Sequence, residues 1–309
     1  MLLRSTAPTY SVKAHDDTLA AWEDAQYQGG KLHLDLSSCG FFDPYGMAGL
    51  VLFLNHLPPE ALPARLQLRD WDSSTATPQS AHEAGRRGAF SYLWRMNFWD
   101  LVRPVLDAPP GALPEISNTV VDRNALLDLS ILHSHAAISS ALRQAGDILQ
   151  NLHYTVPARG HVLEVLSELC SNVLLHAQTE FGGVAAMQTY RNKNGVRYIV
   201  MGIGDAGIGV RASLAANGKL AGRLENDAQA LGVAVQAGSS RFASGGHGGG
   251  LPRVLEIARR YGGRVAFRSG RGALTFNGSS QERQAFDAPP LLGTQLRISL
   301  PESKLRAEK

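Results

Sequence analysis

Two carboxylates, one carboxamide and a run of glycines stand out chemically in this 309-residue chain. Glu168 and Asn172 lie four residues apart in HVLEVLSELCSNVLLHA (161–177), a spacing that puts both on one side of a helix. An asparagine oxygen can join a Mg2+ shell completed by phosphate oxygens and water, and a carboxylate one turn earlier can take a proton from an attacking water or hydroxyl. Asp205 ends the apolar run VRYIVMGIGD and is followed by Gly207 and Gly209. A carboxylate at a strand end can accept the exocyclic amine of a purine, with glycines letting the backbone come close. In FASGGHGGGLPRVLEIARRYGG (242–263), Gly245, Gly246, Gly248, Gly249 and Gly250 precede a helical pattern from Leu251. Glycine is entropically costly, so such a loop needs unusual backbone angles or a close neighbour; bare N–H groups at a helix start favour an anion, phosphate above all. Each feature also has a plain reading: a solvated helix edge, an Asp-Gly turn, a hinge.

The elements that must hold these residues can be read from periodicity. Val162, Val165, Leu166, Leu169 and Val173 give helix 161–177 a core face, with Glu164, Glu168, Asn172 and His176 as a polar stripe beside it. NALLDLSILHSHAAISSALRQAGDILQNL (124–152) carries a long helical apolar pattern. VAAMQTY and VRYIVMGIGD read as strands joined by RNKNG, a hairpin turn at Asn194-Gly195. RVAFRS, ALTF and TQLRISLP are three further strand-like runs, the last opening at Gly293-Thr294. These predict an α/β sandwich, a mixed and mainly antiparallel sheet with one helical layer.

Upstream, KLHLDLSS (31–38) and RLQLRD (65–70) alternate like strands, and GFFDPYGMAGLVLFLNHLP turns into an apolar helix that Asp43 would N-cap with Pro44 at its first position. DSSTATPQSAHEAG (72–85) reads as a loop. AFSYLWRMNFWDLV (89–102) reads as helical, with more apolar residues than one face needs, hence an expected domain or subunit interface. DAPPGALPEIS (107–117) is the sharpest break, too proline-rich for a helix or central strand. The chain therefore divides into a first α/β domain (1–112), a linker (113–123) and a second domain (124–309).

Composition narrows the class. The chain is 44% hydrophobic and 18% charged, ordinary for a folded protein with a sizeable core. A formal net charge of +3 does not argue for nucleic acid. Cys39 and Cys170 supply neither a disulfide framework nor metal-ligand spacing, His133 and His135 lack companion ligands, and no stretch reaches membrane-spanning length; a cytoplasmic protein is expected. Arg253, Arg259, Arg260, Arg264, Arg268 and Arg271 read as a solvated basic face.

Taken in order, the motifs resemble the GHKL superfamily of ATP-binding domains (gyrase, heat-shock chaperone, histidine kinase, MutL-like), built on the Bergerat fold. E-x-x-x-N is met by Glu168 and Asn172, D-x-G-x-G by Asp205, Gly207 and Gly209, G-x-G-x-G-L by Gly246, Gly248, Gly250 and Leu251, and the late G-T by Gly293 and Thr294. The resemblance implies ATP and Mg2+ as cofactors, with Glu168 as general base, Asn172 as Mg2+ ligand, Asp205 as adenine anchor and Thr294 fixing that aspartate. It also implies a lid from about Val210 to Gly250, whose Ser239, Ser240 and Arg241 could meet phosphates. The first half looks like a STAS-type regulatory domain. At the strand-to-helix turn where such domains carry D-S-S-G-L with a phosphorylatable serine, this chain has Asp43, Pro44, Tyr45, Gly46 and Met47, so the plan survives and both serines are gone.

The function expected on this resemblance is an Mg-dependent ATP-binding regulatory protein that hydrolyses ATP or phosphorylates a protein. A non-catalytic, nucleotide-gated interaction protein is the alternative, and Glu168 favours the enzyme. A protein partner is expected and a homodimer is possible, with no membrane and no nucleic acid. LSILHSHAAISS (129–140) lacks the acid and proline that follow the phosphoacceptor of sensor histidine kinases.

Overall fold

In the computed structural model, residues 1–25, 29–69, 71–72, 88–107, 125–192, 194–222, 224–236 and 249–306 are described. In the first half, strands β1 (Leu2–Arg4), β3 (His33–Leu36) and β5 (Arg65–Leu68) run parallel in that order, and β6 (Trp71–Asp72) adds an antiparallel edge. A short parallel pair, β2 (Thr9–Tyr10) and β4 (Phe41–Phe42), leads into helices α1 (Val12–Asp24) and α2 (Pro44–Asn55). Asp43 caps α2, its Oδ1 accepting the Gly46 N–H at 2.8 Å. The aromatic run forms two helices, α3 (Ala89–Arg95) and α4 (Phe98–Val102), broken at Asn97 in the left-handed region (φ 60°).

The second half is built on a five-stranded sheet, order β10-β11-β9-β8-β7, in which every pairing is antiparallel: β7 (Ala125–Leu132), β8 (Gly183–Arg191), β9 (Arg197–Asp205), β10 (Arg264–Asn277) and β11 (Glu282–Pro301). Helices α5 (His135–Gln150), α6 (Val156–Asn172) and α10 (Gly250–Tyr261) cover one face, sharing a hydrophobic core with the strands. Between β9 and α10 lie α7 (Gly209–Ala215), α8 (Gly218–Ala221) and α9 (Asp227–Ala234).

The expected continuous helix over 124–152 is corrected. Its first third is strand β7, and the helix starts only at His135, where the Ser134 hydroxyl accepts the Ala137 N–H (3.2 Å). Leu127 and Leu129 are both buried but in different clusters, one on each face of the sheet, because the pairing of β7 with β8 is irregular on either side of Leu127. Gly293-Thr294 lies inside the twenty-residue β11 and does not open a strand. RVAFRS and ALTF are parts of one fourteen-residue strand that doubles back. Straight, it would span roughly 45 Å, yet the Gly278 N–H donates to the Gly263 carbonyl (2.7 Å). The fold-back occurs at the irregular pairing around Gly270, whose φ of 53° suits glycine.

The sheet's other face is occupied by the first half. Helix α2 is apolar all round and buried along nearly its whole length, packed on β8 and β9 and sharing a core with β3 and β5. That core takes in Leu129, Val184 and Ala186 from the second half. Strand β8 is accordingly buried at seven successive positions instead of alternating. Three ion pairs join the halves: Arg268 with Asp16 (2.9 Å), Arg297 with Asp43 (2.7 Å) and, at the exposed edge, Arg271 with Glu23. Arg268, 2% exposed, thus leaves the expected solvated basic face. Tyr45 is 1% exposed, sealed between the halves. Asn97 and Met96 also bond to Leu129, so the aromatic helices do serve an interface, one within the chain.

Gly202 sets the closest approach, because a Cβ there would overlap the backbone of Pro44 and Tyr45, which has no rotamer to yield. Gly202→Ala is expected to destabilise the protein by about 2–4 kcal/mol in urea unfolding. Gly160→Ala, in α6 with open space at the Cβ position, should stabilise it by about 0.5–1 kcal/mol. Equal effects from the two substitutions would refute this packing.

Candidate functional site

A cavity of about 290 Å³ opens between the C-terminal end of α6, the end of β9 and the start of α10. Its sheet wall draws on two cross-strand rows, of which Asp205, Thr294, Phe267, Leu296 and Ile203 line the cavity and Ser269 lies just outside it. Ser269, Thr294 and Asp205 are register partners across β10, β11 and β9, and so are Phe267, Leu296 and Ile203. Period-two alternation puts both rows on one face: a polar row at the strand ends and an apolar row beneath it. The intervening row, Arg268, Gln295 and Gly204, faces the first half.

Helix α6 supplies the opposite wall with Glu168, Leu169, Asn172 and Val173. It starts at Val156, five residues before the sequence pattern, with Thr155 accepting the Ala158 N–H (3.2 Å). Its regular part ends at Asn172 and continues as one wide π-turn, Val173–Ala177, a distortion common at functional sites. That turn is stitched to the aspartate loop: the Ile208 N–H donates to the Ala177 carbonyl (2.9 Å). Gly207 is required there, since a Cβ would overlap that carbonyl. Its close approach is therefore to protein backbone, and it does not line the cavity, contrary to its expected place beside a ligand.

Asp205 is 7% exposed, and its Oδ1 accepts the Gly207 N–H at 2.9 Å. Burial pushes its carboxyl up to about 6, against the pull of backbone hydrogen bonds from Gly207 and Thr294. Among the described residues no cationic side chain shares in this balance, so the carboxylate retains acceptor capacity toward a neutral donor. Ser269 links the polar row to the loop: its hydroxyl donates to the Gly293 carbonyl (2.8 Å), accepts the Val210 N–H (2.9 Å) and lies 3.4 Å from the Thr294 hydroxyl.

At the mouth, Gly250 and Leu251 open α10 against Glu168; a Cβ on Gly250 would overlap the Glu168 carboxylate. Arg253, one turn on, pairs with Glu164 of α6 (2.7 Å) and holds the two helices together. Of the stripe read from sequence, Glu164 is spent on this pair, while Glu168, Asn172 and His176 line the cavity. Gly209 and Thr294 line it too. Ser239, Ser240, Arg241, Gly246 and Gly248, the loop 72–85 beyond its first residue, and the linker 113–123 lie outside the described residues. Sequence reading missed Ser213, whose hydroxyl lies 3.3 Å from His176 Nδ1, and the apolar row. The row had a signal: Ile203 and Leu296 stand two residues from Asp205 and Thr294.

The donor set can be weighed against a divalent cation. Among the described residues no group of three or more His, Cys, Asp or Glu could hold a metal ion. Asn172 offers the cavity one neutral protein oxygen, so phosphate oxygens and water would have to complete a Mg2+ shell there. Among the described residues, no helix is long and apolar enough to cross a membrane.

No protein-family model matches the sequence, and no curated protein matches it. A solved structure, the histidine kinase domain from the Erythrobacter litoralis EL346 blue-light activated histidine kinase, matches with 12% identity and a TM-score of 0.28, covering 56% of this chain and 66% of that one. The matched part is thus just under two thirds of that domain's length, and a superposition this loose carries no functional inference.

Ionising Asp205 costs stability, because its folded-state value, about 6, lies above the ordinary 3.8. The cost is absent below 3.8 and complete above about 6. Asp205→Asn should therefore raise unfolding free energy by up to about 3 kcal/mol near neutral pH, and the gain should vanish toward pH 4. Denaturant titrations across that range check the sign; a pH-independent difference would refute it.

Proposed function

We propose that the cavity is an ATP site of GHKL type and that the protein is an Mg-dependent, ATP-binding regulatory protein. The observation that carries this reading is the convergence of Glu168, Asn172, Asp205, Gly250 and Thr294, drawn from four separate segments, on one cavity. Asp205, buried and with no cationic partner among the described residues, suits the exocyclic amine of adenine, and the apolar row suits its ring face. The α10 N-terminus and its glycines suit phosphate. Asn172 would be the Mg2+ ligand, and the bound ion would supply charge neutralisation on the phosphates. Glu168 would accept the proton of the attacking water or hydroxyl, ending either in hydrolysis or in transfer of the terminal phosphoryl group to a protein side chain.

The first half is proposed as a degenerate STAS-like unit, with boundaries at 1–112, 113–123 and 124–309. Its parallel β1-β3-β5 core with α1 and α2 supports that reading. One observation favours the second reading, nucleotide-gated interaction. Neighbouring residues of β10 serve both faces: Ser269 holds Val210 at the root of the lid segment, and Arg268 crosses to Asp16 of α1. A ligand that reorders the lid root would then bias the first half only by its differential affinity for the two arrangements.

Calorimetric titration with Mg-ATP, paired with a phosphate-release assay, tests the proposal. Wild type should bind; Asn172→Ala should lose at least about tenfold in affinity with Mg2+ present. Glu168→Ala should retain binding and lose about 10²–10⁴-fold in turnover. Affinity should fall as pH drops through about 6, where Asp205 takes up a proton. Binding without turnover in wild type selects the gated-interaction reading, and absence of binding refutes both.

A further inference from the structure

The second large concavity lies at the other end of the same sheet, about eight residues along β9 from Asp205 and therefore roughly 27 Å away. It is a groove of about 1310 Å³ between the start of α1, β4, the end of β8 and the doubled-back β10–β11 hairpin. This exceeds the roughly 300–1,000 Å³ of small-ligand pockets and fits a length of chain better than a metabolite. Arg191, Arg264 and Arg283 line it, all exposed, and none forms an ion pair among the described residues. The lining acids do not answer them: Asp43 is buried and paired with Arg297, and Glu282 accepts the Ser280 hydroxyl. The floor is partly aromatic, with Phe41 and Tyr190 in contact (ring centroids 5.4 Å apart) and Phe276 beside them in the lining. Three like charges from three strands around a half-apolar floor repel one another, and they focus positive potential into the groove.

We infer that this groove is a docking site for an extended acidic segment of a partner protein, carboxylates pairing with Arg191, Arg264 and Arg283 and an aromatic side chain resting on Phe41 and Tyr190. Planar guanidinium groups favour bidentate carboxylate contacts, and aromatic rings with arginine are the side chains that dominate protein interfaces. The groove depends on the first half's seating, since α1 and β4 form one wall and the second half's strands the other. It does not depend on the nucleotide reading.

Fluorescence anisotropy of the full chain tests this, using a labelled glutamate-rich peptide containing one phenylalanine and, separately, an oligothymidylate. The peptide should bind, weakening as salt rises. The triple charge reversal Arg191→Glu, Arg264→Glu, Arg283→Glu should lower affinity at least about tenfold, and the triple lysine variant should keep most of it. All three positions are exposed, and far-UV dichroism with thermal melting checks that both variants are folded. Failure of the peptide to bind, or undiminished binding by a folded reversal variant, overturns the inference. Tighter binding of the oligothymidylate also overturns it and assigns the groove to single-stranded nucleic acid. Mg-ATP titration of the reversal variant should match wild type, which separates this result from the fate of the nucleotide proposal.

Discussion

The pairing register of β9, β11 and β10 is the constraint on which the rest depends. It sets Ser269, Thr294 and Asp205 abreast on one face and Arg268, Gln295 and Gly204 abreast on the other. A slip of one residue would turn the polar row toward α2 and drive the arginine row into the cavity. Burial on both faces enforces the register: α6 and α10 require the apolar row beneath them, α2 requires glycine at 202, and Gln295 of the neighbouring strand leaves little room for a side chain at 204. The sequence MGIGD satisfies both at once, small residues behind and functional side chains in front.

The back face is a dense polar interface as well as a hydrophobic one. Asp43 caps α2 with one oxygen and holds Arg297 with the other, so the residue that starts the helix also anchors it to β11. Arg268 meets Asp16 and two backbone carbonyls in a site almost closed to water. Removing one partner of such a pair leaves a buried charge uncompensated, a larger loss than the pair's net contribution. His15 is packed between Tyr10 and Tyr45, and burial holds its imidazole down to about 3, neutral at any physiological pH. His15 therefore adds no protonation switch to the interface, and the interface ion pairs demand one arrangement of the halves.

Local elements with strong punctuation are readable in the residues: the capped α2, the Asn194-Gly195 hairpin with Gly195 at φ 77°, and the amphipathic α6. Segment 124–152 is not, because a strand buried on both faces shows no clean alternation, and the irregular pairing of β7 around Leu127 sends Leu127 and Leu129 into different cores. The fold-back of β10 is equally hidden, since the strand bends at the irregular pairing around GRG with no usual turn signature. In the cavity the separate motif residues are legible, and Ser213 is not, because a lone serine announces nothing until His176 lies beside it. Gly207 illustrates a subtler failure: its need for closeness is visible, but the close neighbour is the Ala177 carbonyl.

The sequence by itself determines which residues can do chemistry, the order of the motifs that contain them and the periodicity of most elements, because those depend on side-chain type and short-range spacing. Only the tertiary structure decides what those residues face. Whether Glu164 is free or bound to Arg253, whether Arg268 is solvated or buried against Asp16, and which face of a fully apolar helix meets which sheet are settled by contacts between segments far apart in the chain. Such contacts follow from packing two layers against both faces of one sheet, a global condition that no local window of residues contains.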